Sequence, residues 1–157
     1  MPPGRGIVSA RGITVSTGSD TGANVDLVRS ILSFVANNTG TGISLAAGGT
    51  SIIKLNMRDT TLSNAPTLLK TSGTSGIQAT LIRSHLHDSG IAVDHGLGRI
   101  RMEQTTVTNN QKSLVNHGGN SIVSAGIGST NGTNWIVDNV DAIDGTSYIT
   151  PMVIPMK

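Results

Sequence analysis

The stretch "VDHGLGRI" at 93–100 and the stretch "VNHGGNSI" at 115–122 are one phrase written twice, 22 residues apart. The phrase extends beyond itself. Aligned on the residues before the glycine turn, Val15, Leu45, Leu69, Val93 and Val115 form one column. Two residues earlier Ile13, Ile43, Thr67, Ile91 and Ser113 form another. That is period-two alternation, the mark of a strand with one buried face. The chain then turns at Gly18, Gly48, Gly73, Gly96 and Gly118. A second ladder follows the turns, through Ile53, Ile77, Ile100 and Ile122, and a third runs through Leu32, Leu62, Leu86 and Val107. Three short strands per repeat cannot bury their apolar sides alone, but stacked copies make a continuous core.

Composition agrees with thin repeated layers. Of 157 residues only Phe34, Trp135 and Tyr148 are aromatic, so the bulky fill of a compact globular core is missing. Gly, Ser, Thr and Asn favour turns and strands over helices. The net charge is +2 with no dense Lys/Arg stripe, which leaves nucleic-acid binding without support. With no cysteine, neither a disulfide nor a thiolate metal site is available. No apolar run has the length of a membrane span, and the opening "MPPGRGIVSARG" lacks the apolar stretch of a signal peptide.

Two local features stay open. "NN" at 37–38 and 109–110 and "SN" at 63–64 fall at comparable corners after the third strand, as stacked hydrogen-bonding amides or as plain turn formers. Residues 24–38 read either as strand, aligning "RSILS" with "RDTTLS" and "RSHLHD", or as an amphipathic capping helix behind Asn24.

"TGISLAAGGTSIIKLNMRDTTLSN", "SGIAVDHGLGRIRMEQTTVTNN" and "SLVNHGGNSIVSAGIGSTNGT" resemble the right-handed parallel β-helix repeats of bacterial and phage pectin-lyase-like proteins. The resemblance implies an all-β fold: a right-handed parallel β-helix, three strands per coil and about five coils. It covers about 12–133 of a single domain at 1–157, with 134–157 as an irregular C-terminal cap. In that tail Trp135, Ile136, Val137, Val140, Ile143, Tyr148 and Ile149 either fold over the end coil or pack on a neighbouring chain. The superfamily holds lyases, glycoside hydrolases, tailspikes and adhesins, so the fold does not settle function.

Lyases of this group gather acids around calcium with an Arg or Lys as base. Asp88, Asp94, Arg99 and Arg101 are this chain's nearest approach to that set. The nine acidic residues place no second carboxylate next to Asp94, and calcium wants several oxygens together. Asp138, Asp141 and Asp144, spaced i, i+3, i+6, either supply the carboxylate pair of a glycoside hydrolase or stand as solvated edge acids interleaved with Val137, Val140 and Ile143. For ligand binding the candidates are His85 and His87 flanking Leu86, and Lys70 paired with Asp94 one repeat away. His95 and His117 align one repeat apart without a third ligand; no metal site and no cofactor is expected. Thr60, Thr61, Thr105 and Thr106 suggest a water-ordering face that does not recur in every repeat.

The expected function is a non-catalytic structural or adhesive module, extracellular or at a cell or virion surface. Its partners would be a polysaccharide or other surface polymer, or further copies in a homo-oligomer or end-to-end assembly. Nucleic acid and a membrane span are not expected. The alternative is a carbohydrate-active enzyme, a polysaccharide lyase or glycoside hydrolase, or its degenerate remnant. An enzyme would show clustered acids on one lateral face; a structural module would show scattered charges and a flat Asn/Thr-rich face.

Overall fold

The computed structural model describes residues 7–10, 12–18, 21–34, 40–74, 76–117, 121–124, 134–137 and 139–145. Every regular element among them is a strand, and every strand pairing is parallel. The chain is all-β and solenoid-like. It visits three strand tracks in a fixed order. The first track holds β2 (Ile13–Thr17), β5 (Thr41–Ala47), β8 (Thr67–Gly73), the later halves of β10 (His85–His95) and β12 (Thr106–Asn116), and β15 (Asp141–Gly145). The second is a five-stranded sheet of β3 (Ala23–Val28), β6 (Ile53–Arg58), β9 (Ile77–Ile82), β11 (Arg99–Glu103) and β13 (Ser121–Ser124). The third holds β1 (Ile7–Ala10), β4 (Ile31–Phe34), β7 (Thr61–Ser63), the early halves of β10 and β12, and β14 (Trp135–Val137).

The core is what the alternation predicts. Leu55, Met57, Leu81 and Met102 on the second track and Leu62, Leu86 and Val107 on the third are buried. The residues between them face outward. Packing is close where sizes differ: a Cβ on Gly42 would lie 2.6 Å from the Phe34 ring, so the one phenylalanine takes the space a side chain would need there. Residues 23–28 and 31–34 are strands, which removes the helical reading over that part of 24–38. Residues 35–39, including Asn37 and Asn38, lie outside the described residues.

Register corrects three of the expected columns. Leu32, Leu62, Leu86 and Val107 pair as read. Leu45, however, faces Thr71, and Leu69 faces Ile43. On the second track Ile100 faces Ala79 rather than Ile77. Val93 and Val115 sit on neighbouring strands, but Val93 faces Leu114 and Val115 faces Asp94. The reason is continuity. β10 and β12 run unbroken from the third track into the first, so the pairing Leu86↔Val107 fixes Val93↔Leu114.

Two kinds of corner hold the tracks together. Between second and third tracks Arg29, Asp59, Arg83 and Gln104 all have positive φ, between 50° and 52° for Arg29, Asp59 and Gln104 and 46° for Arg83. Each precedes a hydroxyl: Ser30, Thr60, Ser84 or Thr105. Thr60 Oγ1 donates to the carbonyl of Leu27 or Arg58, both at 3.0 Å, and Thr105 Oγ1 to that of Leu81 or Glu103, both at 3.1 Å. Buried backbone oxygens are thereby satisfied at the bend. Between third and first tracks Asn64, Asp88 and Asn109 take the positive-φ position, which Asn and Asp tolerate better than most residues. Behind them Asn110 is 2% exposed and donates to the carbonyls of Leu86 and Thr108.

Residues 135–137 and 141–145 do not leave the ladder as the expected irregular cap. β14 pairs with β12 through Val107↔Ile136, and β15 through Leu114↔Ile143. Asparagines rebuild both corners. Asn134 accepts the Thr105 N–H at 2.9 Å and donates to the Met102 carbonyl, and Asn139 donates to the Val107 carbonyl. Tyr148 and Ile149 lie outside the described residues.

Candidate functional site

The outward residues of the three tracks differ in chemistry. The second track carries Lys54, Arg58, Arg99 and Arg101 against Asp26 and Glu103. Asn56 donates to Asp26 at 2.8 Å, and Arg101 lies 3.4 Å from Glu103. The third track's columns that alternate with the core are Ile31, Thr61, His85, Thr106 and Trp135 in one and Ser33, the buried Ser63, His87 and Thr108 in the other. No Lys, Arg, Asp or Glu stands in these two columns. Trp135 is 60% exposed, at the end of a strip that runs from Ile31 through hydroxyls and imidazoles.

At the middle of that strip the His85 and His87 rings lie 4.4 Å apart, tilted by 33°. His85 Nε2 is 3.1 Å from Thr108 Oγ1. His87 Nδ1 donates to Asp88 Oδ2 at 2.6 Å, and Asp88 also accepts from Asn109 Nδ2. Those two hydrogen bonds hold the Asp88 carboxyl below the usual carboxylate value. Burial lowers the His85 imidazole, helped by the neighbouring His87 and opposed by Asp88. A shallow depression beside the strip is lined by Asn64, Pro66, Asp88, Ser89, Gly90 and Asn109.

A second cluster sits on the first track. Lys70 Nζ is 3.0 Å from Asp94 Oδ2, the cross-repeat pair expected from the sequence, and His117 Nε2 donates to Asp94 Oδ1 at 2.7 Å. The imidazoles His95 and His117 do not stack. His95 faces inward, fully buried opposite Asn116, while the His117 side chain is 63% exposed. Thr71 Oγ1 accepts the Leu97 N–H at 3.3 Å, which leaves its own proton for His95 Nδ1 at 2.8 Å. Burial lowers the His95 imidazole most, and His117 adds to it; the Gly98 backbone and Asp94 pull the other way.

The four lyase-like candidates are dispersed. Asp88 is at the corner between third and first tracks, Asp94 on the first, and Arg99 and Arg101 on the second. Asp138 and the side chains of Asp141 and Asp144 lie outside the described residues. Thr60 and Thr105 are buried with their hydroxyls committed to carbonyls, so only Thr61 and Thr106 of the expected water-ordering pairs face out. The sequence reading missed Trp135 as a lateral-face residue, because it assigned 134 onward to a cap. The step from Thr106 to Trp135, preceded by Asn134 as Thr106 is by Thr105, was the available signal.

Comparison with protein-family models, curated proteins and solved structures returns no match. Among the described residues no helix is long and apolar enough to cross a membrane.

Proposed function

We propose that the chain is a non-catalytic module, a right-handed parallel β-helix of about five coils, that holds a polysaccharide along its third-track face. The observation that carries the reading is the charge-free strip ending on exposed Trp135. Sugars offer hydroxyls to polar side chains and C–H faces to aromatic rings, and a Trp platform beside Ser, Thr, His and Asn meets both needs. An extended polymer fits an extended strip, with neighbouring strands about 4.8 Å apart. A surface or extracellular location goes with this reading. The lyase or hydrolase alternative draws no support from the described residues, since Asp88, Asp94, Arg99 and Arg101 occupy different faces.

Co-sedimentation with a panel of insoluble polysaccharides tests the proposal. Retention on at least one, weakened about ten-fold by Trp135→Ala, is expected from losing one aromatic contact of about 1.5 kcal/mol. Retention that ignores Trp135 moves the binding face elsewhere. A reducing-end assay on the same panel that shows sustained product release overturns the non-catalytic half of the proposal.

A further inference from the structure

We infer that His85 and His87 form a two-imidazole site for a divalent transition-metal ion, with Asp88 as the positioning residue that orients His87. The site goes beyond the polysaccharide reading and does not depend on it. The two histidines occupy alternate positions of β10 and therefore project from one side of the strand. Leu86 between them is buried, so the backbone that carries both is anchored. Their ring centroids are 4.4 Å apart. Two ligands on a tetrahedral zinc at about 2.0–2.1 Å have nitrogens about 3.3 Å apart, a separation of the same order as that between the two rings.

The nitrogens are already sorted. A carboxylate only accepts, so Asp88 Oδ2 at 2.6 Å holds the proton on His87 Nδ1 and leaves Nε2 of the neutral ring with its lone pair. Asn109 fixes the carboxylate from behind. Carboxylate, imidazole and metal in line is the usual way a protein orients a histidine ligand. On His85, Nε2 faces Thr108 Oγ1 at 3.1 Å; with that hydroxyl accepting, the proton is on Nε2 and the lone pair of the neutral ring is on Nδ1. Among the described residues no third His, Asp or Glu converges to complete a metal-holding group, so water fills the remaining positions. Neutral imidazoles without an oxygen cage select zinc, copper or nickel over calcium or magnesium.

Calorimetric titration of the untagged full chain with Zn²⁺ alone at pH 7.5 tests the site. One equivalent is expected to bind. His85→Gln and His87→Gln should each weaken binding at least ten-fold, and Asp88→Asn by about ten-fold, the effect of losing an orienting partner. His117→Gln, an exposed imidazole on another track, should change nothing. Imidazole nitrogen spectra of the unaltered chain should show zinc moving His85 and His87 while His95 and His117 stay. In Asp88→Asn without metal, the His87 tautomer signal should shift, which a merely structural aspartate would not produce. No zinc-induced shift at His85 or His87, or equal loss in His117→Gln, overturns the inference.

Discussion

The second and third tracks are built on the same inside and present different outsides. Inward, Leu55, Met57, Leu81 and Met102 on one and Leu62, Leu86 and Val107 on the other are equally buried aliphatic or thioether columns. Outward, one track carries Lys54, Arg58, Arg99, Arg101, Asp26 and Glu103, and the other carries hydroxyls, imidazoles and Trp135. The ladder is indifferent to what its alternate residues point at solvent. Folding is written in one half of each strand, and the other half is left to vary.

The largest test of that division strikes the shared half. Leu62→Ala and Leu81→Ala should each cost about 2–5 kcal/mol in denaturant unfolding, because each leaves a cavity in a tightly packed column. A near-neutral result on one track would mean that the two interiors are not equivalent. Next comes the corner that joins the third track to the first. Asn110→Ala removes hydrogen bonds to the carbonyls of Leu86 and Thr108 and to the side chains of Ser89 and Asn139 and should cost about 1–3 kcal/mol.

Acid tests the first-track interior against both. The folded protein depresses the pKa of buried His95, so its neutral form is the one the fold accommodates. That stability is complete above the unfolded value of about 6.5 and is lost as pH falls below it, since the unfolded chain then binds the proton more readily. The melting temperature should be flat above pH 7 and decline between pH 6.5 and 5, with a shallower decline in His95→Gln; an identical slope in that variant would exclude His95 as the cause. Smallest are the outward changes. Trp135→Ala and Arg101→Ala should leave melting unchanged to within a degree or so, and only the first should weaken polysaccharide retention. Loss of retention in Arg101→Ala would break the contrast between the two faces.

The third ladder was legible because the corner before it has constant length. A polar residue and a hydroxyl, as in Arg29-Ser30, Asp59-Thr60, Arg83-Ser84 and Gln104-Thr105, precede each strand, and counting back from Leu32, Leu62, Leu86 and Val107 is safe. The first and second ladders slipped because their shared corner varies. Gly48, Gly73 and Gly96 look equivalent as turn residues, but Gly73 closes β8 while Gly48 and Gly96 follow their strands. A slip of two, as at Leu69 and Ile100, preserves which side faces in. A slip of one reverses it, which is why His95 and His117 align in the sequence although one is core and the other surface. The pairing of Lys70 with Asp94 was readable from spacing alone. The His117 contact was not, because it crosses the pairing diagonally rather than directly.

The unequal joints have a consequence for change over time and at the bench. Between the first and second tracks the connection runs over 48–52 at one level and only 96–98 at another, while the stacked strands on either side keep their partners. Length polymorphism is therefore already tolerated at that joint, as it is between the third and first tracks, where 64–66 joins β7 to β8 while β10 and β12 run through without a break. A peptide grafted at Gly49–Thr50, where the chain makes an exposed turn, would extend into solvent beyond the stacked strands, whereas the two-residue joint at Arg83-Ser84 has no slack to give.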